Sequence, residues 1–471
     1  MQQKEMKQEE KIVYMTTTPV PRLIAELAAP TIISMLVTSF YNMADTFFVG
    51  RINTQATAAV GIVFSVMAII QALGFFFGHG SGNYISRRLG ARDFEEAAVM
   101  AANGFFLAFL CGLAVTAAGL IFLRPLATVL GSTPTILPYT EDYLKIILIG
   151  APFMTSSLVL NNQLRFQGSA AYAMVGIVTG AVINIILDPI LIFVCGMGVA
   201  GAAAATVISQ FCSFMLLLFQ SRKGGNIRIR LSNFKPNLHF IKEICRGGFP
   251  SLCRQGLASV ATILMNHGAG NYGDAAIAGM SIVSRVSMFA GSALIGFGQG
   301  FQPVCGFNYG AKLYHRVREG FWFCVKYATV FLVIVSAVGA LFAPQVIGIF
   351  RKGDPEVTQI GTLALRLQCI AFPLTGWIIM SNMMLQSIGK GLKASILAAA
   401  RQGLFFIPLI LILPAFFGLL GVEVCQTVSD ICSFALAVPL CLSVLKEMKD
   451  QEPEGSLSKD QEPDGSFSSE R

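Results

Sequence analysis

Two acidic side chains lie in otherwise apolar stretches of this sequence, where they could bind a proton or a hard cation. Asp188 stands in INIILDPILIF, residues 183 to 193, a stretch typical of the middle of a membrane-spanning helix. Asn184 precedes it by one helical turn and shares its face, while Pro189 lacks a backbone N–H and so frees the carbonyl of Ile185. Such oxygens suit a proton or sodium, because burial favours the protonated acid whereas a bound cation keeps the carboxylate ionised.

A second carboxylate, Asp45, lies in SFYNMADTFFVG, residues 39 to 50. If it meets Asp188 in the folded chain, each charge disfavours the other and the pair can share one proton. The structural alternatives are that Asp45 caps a helix or lies at the membrane interface, and that Asp188 is a neutral hydrogen-bonding residue beside a kink at Pro189. Because an isolated charge at mid-membrane costs roughly 3 kcal/mol, we favour ion coupling, more strongly for Asp188 than for Asp45.

The elements that carry these acids are membrane spans. Apolar residues make up 54% of the chain and charged residues 13%, and apolar stretches of about 20 residues recur, the length that a helix needs to cross a bilayer. The sequence predicts an all-α membrane protein with twelve transmembrane helices. The first span, Leu23 to Gly50, is too long for a signal-peptide core. The 11 cysteines form no CxxC pair, so we expect neither disulfides nor a zinc site.

The second half of the chain repeats the first at a nearly constant offset, which carries weight that single glycine matches lack. With six spans per half, both halves cross the membrane in the same direction. We therefore predict two six-helix lobes related by a parallel internal repeat, with the substrate bound between them. The matched pairs include Pro30 with Pro250, Gly50 with Gly270, Gly90 with Gly310, Pro152 with Pro373, Asn161 with Asn382, and Pro189 with Pro408.

The repeat does not extend to the two acids. Asp45 corresponds to Met265 and Asp188 to Ile407, although Pro189 keeps its partner. An architectural role would tend to appear in both halves, so this difference indicates a function confined to one lobe. The second half instead contains basic residues that we expect to be buried, paired or extended to the interface. These residues are Arg254, Arg285, Arg366 and Arg401, with the acids Glu423 and Asp430.

Charge and span positions divide the chain and orient it. Lysine and arginine are concentrated on the side of the membrane that holds the termini, so the positive-inside rule predicts cytoplasmic termini. On the opposite side only Arg51, Arg124, Arg351 and Lys352 are expected. The predicted segments are a cytoplasmic N-terminal segment (1–22), an N-lobe with spans 1–6 (23–220), a cytoplasmic linker (221–244), a C-lobe with spans 7–12 (245–446) and a disordered cytoplasmic tail (447–471).

The motif content excludes several function classes. There is no GxxxxGK[ST] sequence, so we expect transport driven by an ion or substrate gradient. GHGSG, residues 78 to 82, follows no strand, and the histidines have no metal-ligand spacing. We expect that the protein is not an enzyme and that it binds no cofactor beyond a coupling proton or sodium ion, no other metal and no nucleic acid. The expected partners are a small-molecule substrate and the lipid bilayer, with the chain monomeric. The alternative from another class is an intramembrane enzyme that uses both aspartates as acid and base.

Six segments carry a family resemblance that extends from about residue 20 to 445. They are AAPTIISMLVTSFYNMADTFFVGR, SRRLGARDFEEA, NNQLRFQGSAAYAM, VINIILDPILIF, GFPSLCRQGLASVATILMN and IGFGQGFQPVCGFNYGAKLYHRV. In these segments the chain resembles the multidrug and toxic compound extrusion (MATE) transporters, of the bacterial drug-efflux type. The resemblance implies efflux of organic, cationic or amphipathic compounds in exchange for protons or sodium, in a bacterial-type inner membrane. The alternative is a flippase for a lipid-linked oligosaccharide or another anionic lipid-like substrate.

The family pattern also implies which residues couple the ion. It has an Asp in the first span, an Asn and an Asp four apart in the fifth, and a Thr in the sixth. Some branches carry further carboxylates early in the seventh span, where this chain has Arg254 and Gln255, so we expect no ion coupling there. The implied ion-coupling residues are Asp45, Asn184, Asp188 and Thr206. Weaker candidates for the substrate cavity are Asn161, Asn162, Gln163, Arg254 and Gln255.

Overall fold

The computed structural model describes residues 2–350 and 354–452, and within them all regular secondary structure is helical. The first half contains six long helices and two short ones, and a π-helical turn at Ile190–Val194 extends the seventh helix. These helices are α1 (Gln2–Thr17), α2 (Val20–Val49), α3 (Thr54–Gly90), α4 (Phe94–Ile121), α5 (Leu123–Val129), α6 (Leu137–Phe166), α7 (Ala170–Pro189) and α8 (Gly198–Gln220).

The second half follows the same plan after a short 3-10 turn at Leu231–Asn233. Its fifth span also contains a π-helical turn, Ala400–Leu404, which here lies between two α-helical parts. The helices of this half are α9 (Leu238–Gly270), α10 (Asp274–Gly310), α11 (Tyr314–Leu341), α12 (Ala343–Phe350), α13 (Pro355–Ser387), α14 (Gly391–Ala399), α15 (Phe406–Phe417) and α16 (Leu419–Asp450).

The number and type of spans agree with the sequence prediction. Eleven helical segments of the described chain are long and apolar enough to cross a membrane, with α7 continued by its π turn and with α14 and α15 forming one span. The twelfth long helix is α9, with 33 residues. Its apolar character is lower because Lys242, Glu243, Arg246 and Arg254 all lie in its first half. The all-α, two-lobed fold class is confirmed.

Helix ends differ from the predicted segment boundaries on the side of the membrane where the chain begins. Residues 2–17 already form α1. The connection between the lobes is shorter than predicted, residues 221–237, because the Asn237 side chain caps α9 by accepting a hydrogen bond from the Phe240 N–H at 3.0 Å. Helix α16 continues to Asp450. Of the predicted disordered tail, residues 453–471 lie outside the described residues.

The repeat is visible where the two lobes meet. We call the side of the membrane that holds the start of α2, the interlobe connection and the end of α16 the terminal side, and the other the distal side. Near the terminal side α3 and α10 cross so closely that Gly90 lies against the Phe307 carbonyl and Gly310 against the Arg87 carbonyl, with no room for a side chain at either glycine. The two contacts are equivalent under the repeat.

The other interlobe contacts are also paired across the repeat. Helix α3 packs on α9, where Gly80 lies against the Ile244 carbonyl, and α10 packs on α2, where a Cβ at Gly296 would lie 2.7 Å from the Cα of Ile32. The second long helix of each lobe therefore contacts the first long helix of the other lobe. This arrangement is the one expected for parallel repeats about an axis along the membrane normal.

Helix α1 lies across the terminal side and contacts both lobes. The Lys11 ammonium donates hydrogen bonds to Ser169 Oγ at 2.6 Å and to Asn226 Oδ1 at 2.7 Å. Met15 is fully buried, and its carbonyl accepts a hydrogen bond from Asn308 of α10 at 3.2 Å. Because it is bound to both halves, α1 contributes to the contact between the lobes on this side.

Candidate functional site

The predicted ion-coupling residues lie in the N-lobe, in the distal half of α2, α7 and α8. Small residues bring α7 and α8 together, since Ser213 Oγ donates a hydrogen bond to the Gly176 carbonyl at 2.9 Å. At the distal end of α7, Pro189 precedes the π turn, and a Cβ at Gly201 of α8 would lie 2.7 Å from the Leu191 carbonyl. At the predicted kink the chain thus changes from α to π helix, and this turn is held against α8.

Asp188 and Asn184 are both fully buried on one face of α7. The Asn184 Nδ2 donates a weak hydrogen bond to Asp188 Oδ1 at 3.4 Å. Asp188 Oδ2 and Asn184 Oδ1 are buried without a hydrogen-bond partner in the part of the chain that the structure describes. Asp188 lies close to the distal end of the span from Ala170 to Val194, not at its middle as the apolar sequence around it suggests.

Asp45 approaches this pair from α2. Its side chain is half-buried, and its Oδ1 atom is buried without a partner among the described residues. Asp45 is near enough to Asp188 for the two carboxylates to repel each other, and the structure shows no hydrogen bond between these two. The two acids therefore lie in one cluster without a direct hydrogen bond, and the shared proton stays a prediction.

Two tyrosines complete the cluster, and sequence reasoning did not identify them. Tyr143 of α6 is fully buried and its hydroxyl interacts with Thr206, the fourth residue implied by the family pattern. Tyr41 of α2 lies near Gln210 and within electrostatic range of both acids. Spacing could have indicated Tyr41, which lies one helical turn before Asp45, whereas Tyr143 belongs to another helix and gave no signal.

The cluster presents oxygen atoms that lack donors. Three of these acceptors are buried, Asp45 Oδ1, Asn184 Oδ1 and Asp188 Oδ2. A buried acceptor without a partner is unfavourable, so the two carboxylate oxygens are suited to a proton, and all three oxygens are suited to a cation that prefers oxygen ligands. Within residues 2–350 and 354–452, no group of three or more His, Cys, Asp and Glu side chains could hold a metal ion.

The predicted cavity amides of α6 make structural contacts. Asn161 Nδ2 donates to the Ala173 carbonyl at 3.0 Å, and its repeat partner Asn382 donates to the Ala394 carbonyl at 2.7 Å. This duplicated bond ties the fourth span of each lobe to the fifth. Gln163 Nε2 donates to the Ala101 carbonyl at 3.0 Å.

Asn162 and the two α9 candidates lie closer to the lobe interface. Asn162 is fully buried, and its Oδ1 accepts a hydrogen bond from Arg165 at 2.7 Å. Arg254 and Gln255 are half-buried on α9, the C-lobe helix that packs on α3. Of the five predicted cavity residues, these two keep side chains that are partly accessible at this interface.

The basic residues of the C-lobe fall into two groups. Arg285 and Arg366 are exposed, so the expectation of burial is wrong for them. Arg401 forms an ion pair with the fully buried Asp430, with Nε to Oδ1 at 2.7 Å and Nη2 to Oδ2 at 3.4 Å. Gln426 donates a further hydrogen bond to Asp430 Oδ1 at 2.9 Å. Of the two buried C-lobe acids, Glu423 and Asp430, it is Asp430 that is neutralised by a partner within its own lobe.

Comparisons with known proteins agree with this architecture. The family model MatE matches residues 30–190 and 250–412, one match in each lobe. The chain is 28% identical to the multidrug export protein MepA of Staphylococcus haemolyticus (strain JCSC1435) and 29% identical to MepA of Staphylococcus aureus (strain NCTC 8325 / PS 47). These alignments cover 90% and 93% of this chain and 94% and 97% of those proteins.

A solved structure shows the same fold. It is described as the outward-facing conformation of a multidrug resistance MATE family transporter of the MOP superfamily. Its sequence is 29% identical to this chain. The match covers 93% of this chain and 98% of the solved chain, with a TM-score of 0.87.

The fold and these matches define a multi-pass membrane transporter, a class of protein that is not enzymatic. More particularly, the chain belongs to the MatE family, the multidrug and toxic compound extrusion transporters. The family resemblance seen in the sequence is confirmed.

Proposed function

We propose that the chain is a secondary active antiporter that exports organic compounds, cationic or amphipathic, in exchange for protons or sodium ions. Membership of the MatE family and the similarity to proteins named for multidrug export support the substrate class. The observation that carries ion coupling is the set of three buried oxygens without donors, on Asp45, Asn184 and Asp188. The two carboxylate oxygens can accept a proton, and all three oxygens can coordinate a cation, without breaking an existing hydrogen bond.

The coupling ion binds in the N-lobe and needs no other cofactor. A proton would be shared between Asp45 and Asp188, whereas sodium would also use Asn184 Oδ1 and the hydroxyl of Thr206. Each charge that crosses the membrane supplies about 2.3 kcal/mol per 100 mV. Ion binding removes the repulsion between the two acids, so it favours a conformation in which α2 and α7 lie closer together.

Export proceeds by alternating access between the lobes. The tight glycine contacts of α3 with α9 and of α10 with α2 support a closed terminal side in the present conformation. Ion binding beside Pro189 alters the π turn that follows it, and the ion-bound lobe has a lower affinity for substrate. Because the ion and the substrate each bind one conformation better than the other, their gradients are coupled.

We also propose the setting of the transporter. The terminal side is cytoplasmic, supported by the excess of lysine and arginine there. The membrane is the cell membrane of a bacterium, as the bacterial relatives suggest. The functional unit is a monomer, since one chain supplies both lobes and the space between them.

The test is efflux of a cationic dye from pump-deficient bacterial cells that express the wild type or Asp188→Asn. The proton and sodium gradients are collapsed separately. We expect wild-type efflux to fail when one gradient, and only one, is removed, and Asp188→Asn to fail under all conditions. The matched control is Asp274→Asn, the same change at an exposed acid that begins α10.

Efflux by Asp188→Asn at the wild-type rate, with both proteins present in equal amounts, would contradict ion coupling at this residue. Wild-type cells that export no dye would contradict the proposed substrate class. In that case, translocation of a fluorescent anionic lipid would test the flippase alternative.

A further inference from the structure

A buried arginine near the terminal end of α6 has no acidic partner. Arg165 is 2% exposed, and its Nη2 donates to Asn162 Oδ1 at 2.7 Å and to His79 Nε2 at 3.2 Å. Its Nε is buried without a hydrogen-bond partner among the described residues. No carboxylate of the described chain forms an ion pair with it. The charge is held in place by neutral groups and is not neutralised.

A second arginine approaches from the other lobe. Arg254 of α9 lies close enough for its charge to repel those of Arg165 and a protonated His79. Arg254 is half-buried, and in residues 2–350 and 354–452 it has neither an ion pair nor a hydrogen bond. Two positive charges from different lobes therefore lie within electrostatic range of each other, and no carboxylate of the described residues forms an ion pair with either.

Helix direction explains why the two side chains converge. Side chains on a helix lean toward its N-terminus. Helix α6 runs from the distal to the terminal side, so Arg165 leans toward the distal side, whereas α9 runs the opposite way and Arg254 leans toward the terminal side. The contacts of Gly80 with Ile244 and of Gly248 with Phe76 lie nearer the terminal side than the Cα of Arg254. The two side chains therefore extend toward each other beside the packing of α3 on α9.

The role of His79 follows from its hydrogen bonds. Its Nε2 faces a guanidinium, which can only donate, so this nitrogen is an acceptor. The other ring nitrogen, Nδ1, then carries the proton and donates to the Phe75 carbonyl at 3.2 Å. His79 is therefore neutral, and it orients Arg165 without adding charge.

Location at a helix end explains only part of this arrangement. Arg165 lies in the last turn of α6, where a cation interacts favourably with the helix dipole. That interaction does not satisfy the Nε atom, and it does not apply to Arg254, which lies inside α9. An unpaired charge inside a membrane protein is unfavourable, and a second like charge beside it increases the penalty. A bound anion would pair with the buried charge and offset the repulsion between the two arginines.

We propose that Arg165 and Arg254 bind one oxyanion group, a phosphate or a carboxylate, between the two lobes. The planar guanidinium fork matches the oxygen atoms of such groups. Because the two arginines belong to different lobes, the anion links the lobes where α3 packs on α9. Its affinity is highest when the terminal side is closed. The source is either an oxyanion free in solution or the phosphate of an anionic lipid. This site is separate from the N-lobe acids and does not depend on the proposed antiport.

The first experiment measures thermal unfolding of the full chain in a neutral detergent as inorganic phosphate is increased at constant ionic strength. We expect the unfolding temperature of the wild type to rise and saturate. In Arg254→Gln, the half-maximal phosphate concentration should increase at least tenfold. Arg285→Gln, which removes one exposed arginine of the same lobe, should respond like the wild type. Arg254 carries the test because Arg165→Gln changes a fully buried residue and need not fold.

The second experiment identifies the source of the anion and the region that it stabilises. If a lipid supplies the phosphate, nanodiscs of phosphatidylglycerol should stabilise the wild type more than phosphatidylcholine does, and this difference should disappear in Arg254→Gln. If the anion is free, phosphate should act equally in both lipids. In either case, hydrogen exchange should slow around Gly80 and Gly248 in the wild type. Equal stabilisation of Arg254→Gln, or no stabilisation of the wild type by phosphate or anionic lipid, would overturn the proposal.

Discussion

The two lobes carry polar clusters at corresponding places, between the fifth and sixth spans of each half, but their charges differ. In the N-lobe the fifth span supplies the acid, Asp188, and the nearby sixth-span residues Thr206 and Gln210 are neutral. In the C-lobe the fifth span supplies a base, Arg401, and the sixth supplies the acid, Asp430. The same frame thus holds an unpaired acid in one lobe and an ion pair in the other.

A repeated backbone contact supports this correspondence. Gly201 of α8 lies against the backbone of Leu191, and Gly421 of α16 lies against the backbone of Leu413. Counting along each sixth span from these glycines gives the equivalent positions. They pair Thr206 with Gln426 and Gln210 with Asp430.

The difference separates an ion-binding role from a structural one. Asp430 has a permanent counterion and an additional donor from Gln426, so it has little tendency to take up another cation. Among the residues that the structure describes, Asp188 has one weak hydrogen bond, and its Oδ2 atom has no partner. A carboxylate can exchange protons or sodium during transport only if no permanently charged side chain is paired with it. Each lobe therefore uses its acid differently, although both acids are fully buried.

The largest effect should come from breaking the C-lobe pair. Asp430→Asn leaves Arg401 without its counterion, so we expect the free energy of unfolding to fall by about 3–5 kcal/mol. The double variant Arg401→Gln with Asp430→Asn removes both charges and should recover most of this loss. Thermal unfolding of the purified proteins measures both. A single variant as stable as the wild type would contradict a structural role for the pair.

The N-lobe acid should respond in the opposite way. Asp188→Asn is expected to reduce ion-driven efflux at least tenfold, about 1.4 kcal/mol in rate, without lowering the unfolding temperature. The new amide carries no charge, so it removes the repulsion between residue 188 and Asp45. Transport by reconstituted liposomes and thermal unfolding are measured on the same preparation. The C-lobe double variant is the control, and it should retain efflux. A loss of stability in Asp188→Asn equal to that of Asp430→Asn would remove the distinction between the lobes.

The sequence predicted this comparison only in part. The length of the apolar stretches and the internal repeat were sufficient to predict twelve spans in two lobes, because both are read directly from spacing along the sequence. They also predicted that Asp188 has no acidic counterpart, since Ile407 occupies the equivalent position. The pairing of Arg401 with Asp430 joins two helices, and no spacing within one helix indicates it.

The same limit explains what was missed elsewhere. Tyr143 and Arg165 both lie on α6, and their roles depend on which helices face α6 in the folded chain. The structure begins α9 within the predicted linker, because the first turns of this helix are polar, and polar helical turns at a membrane surface resemble a loop in composition. Physical contacts between helices, not local patterns, define these features.

A smaller effect should distinguish the amides beside the two acids. Asn184→Leu removes the only hydrogen bond to Asp188 that the structure shows, and one candidate ion ligand, so we expect the ion concentration for half-maximal transport to rise about threefold to tenfold. Gln426→Leu removes one of several contacts of Asp430, so ion dependence should stay unchanged and stability should fall by about 1 kcal/mol. Initial transport rates against ion concentration measure the first effect. Equal shifts of ion affinity in both variants would contradict the assignment of coupling to the N-lobe.

The smallest effect concerns α1, which contacts the N-lobe through Lys11 and the C-lobe through Met15 and Asn308. Burial lowers the pKa of Lys11 from 10.5 to about 7. When α1 is detached the amine regains its usual pKa, so between about pH 7 and 10.5 the detached form binds more protons. Attachment of α1 should therefore strengthen as the pH rises through this range. The free-energy cost of burying the charged ammonium is fully present below about pH 7.

Hydrogen exchange of the α1 backbone, corrected for intrinsic rates at about pH 6.5 and about pH 8.5, measures this attachment. We expect protection in the wild type to increase with pH and protection in Lys11→Met to be independent of pH, because the methionine side chain does not titrate. Asn308→Ala removes the contact with the C-lobe instead, so it should weaken attachment equally at both pH values. If Lys11→Met kept the pH dependence of the wild type, another group would control the N-lobe contact. The contacts of α1 with the N-lobe and with the C-lobe would then not differ in the way that Lys11 predicts.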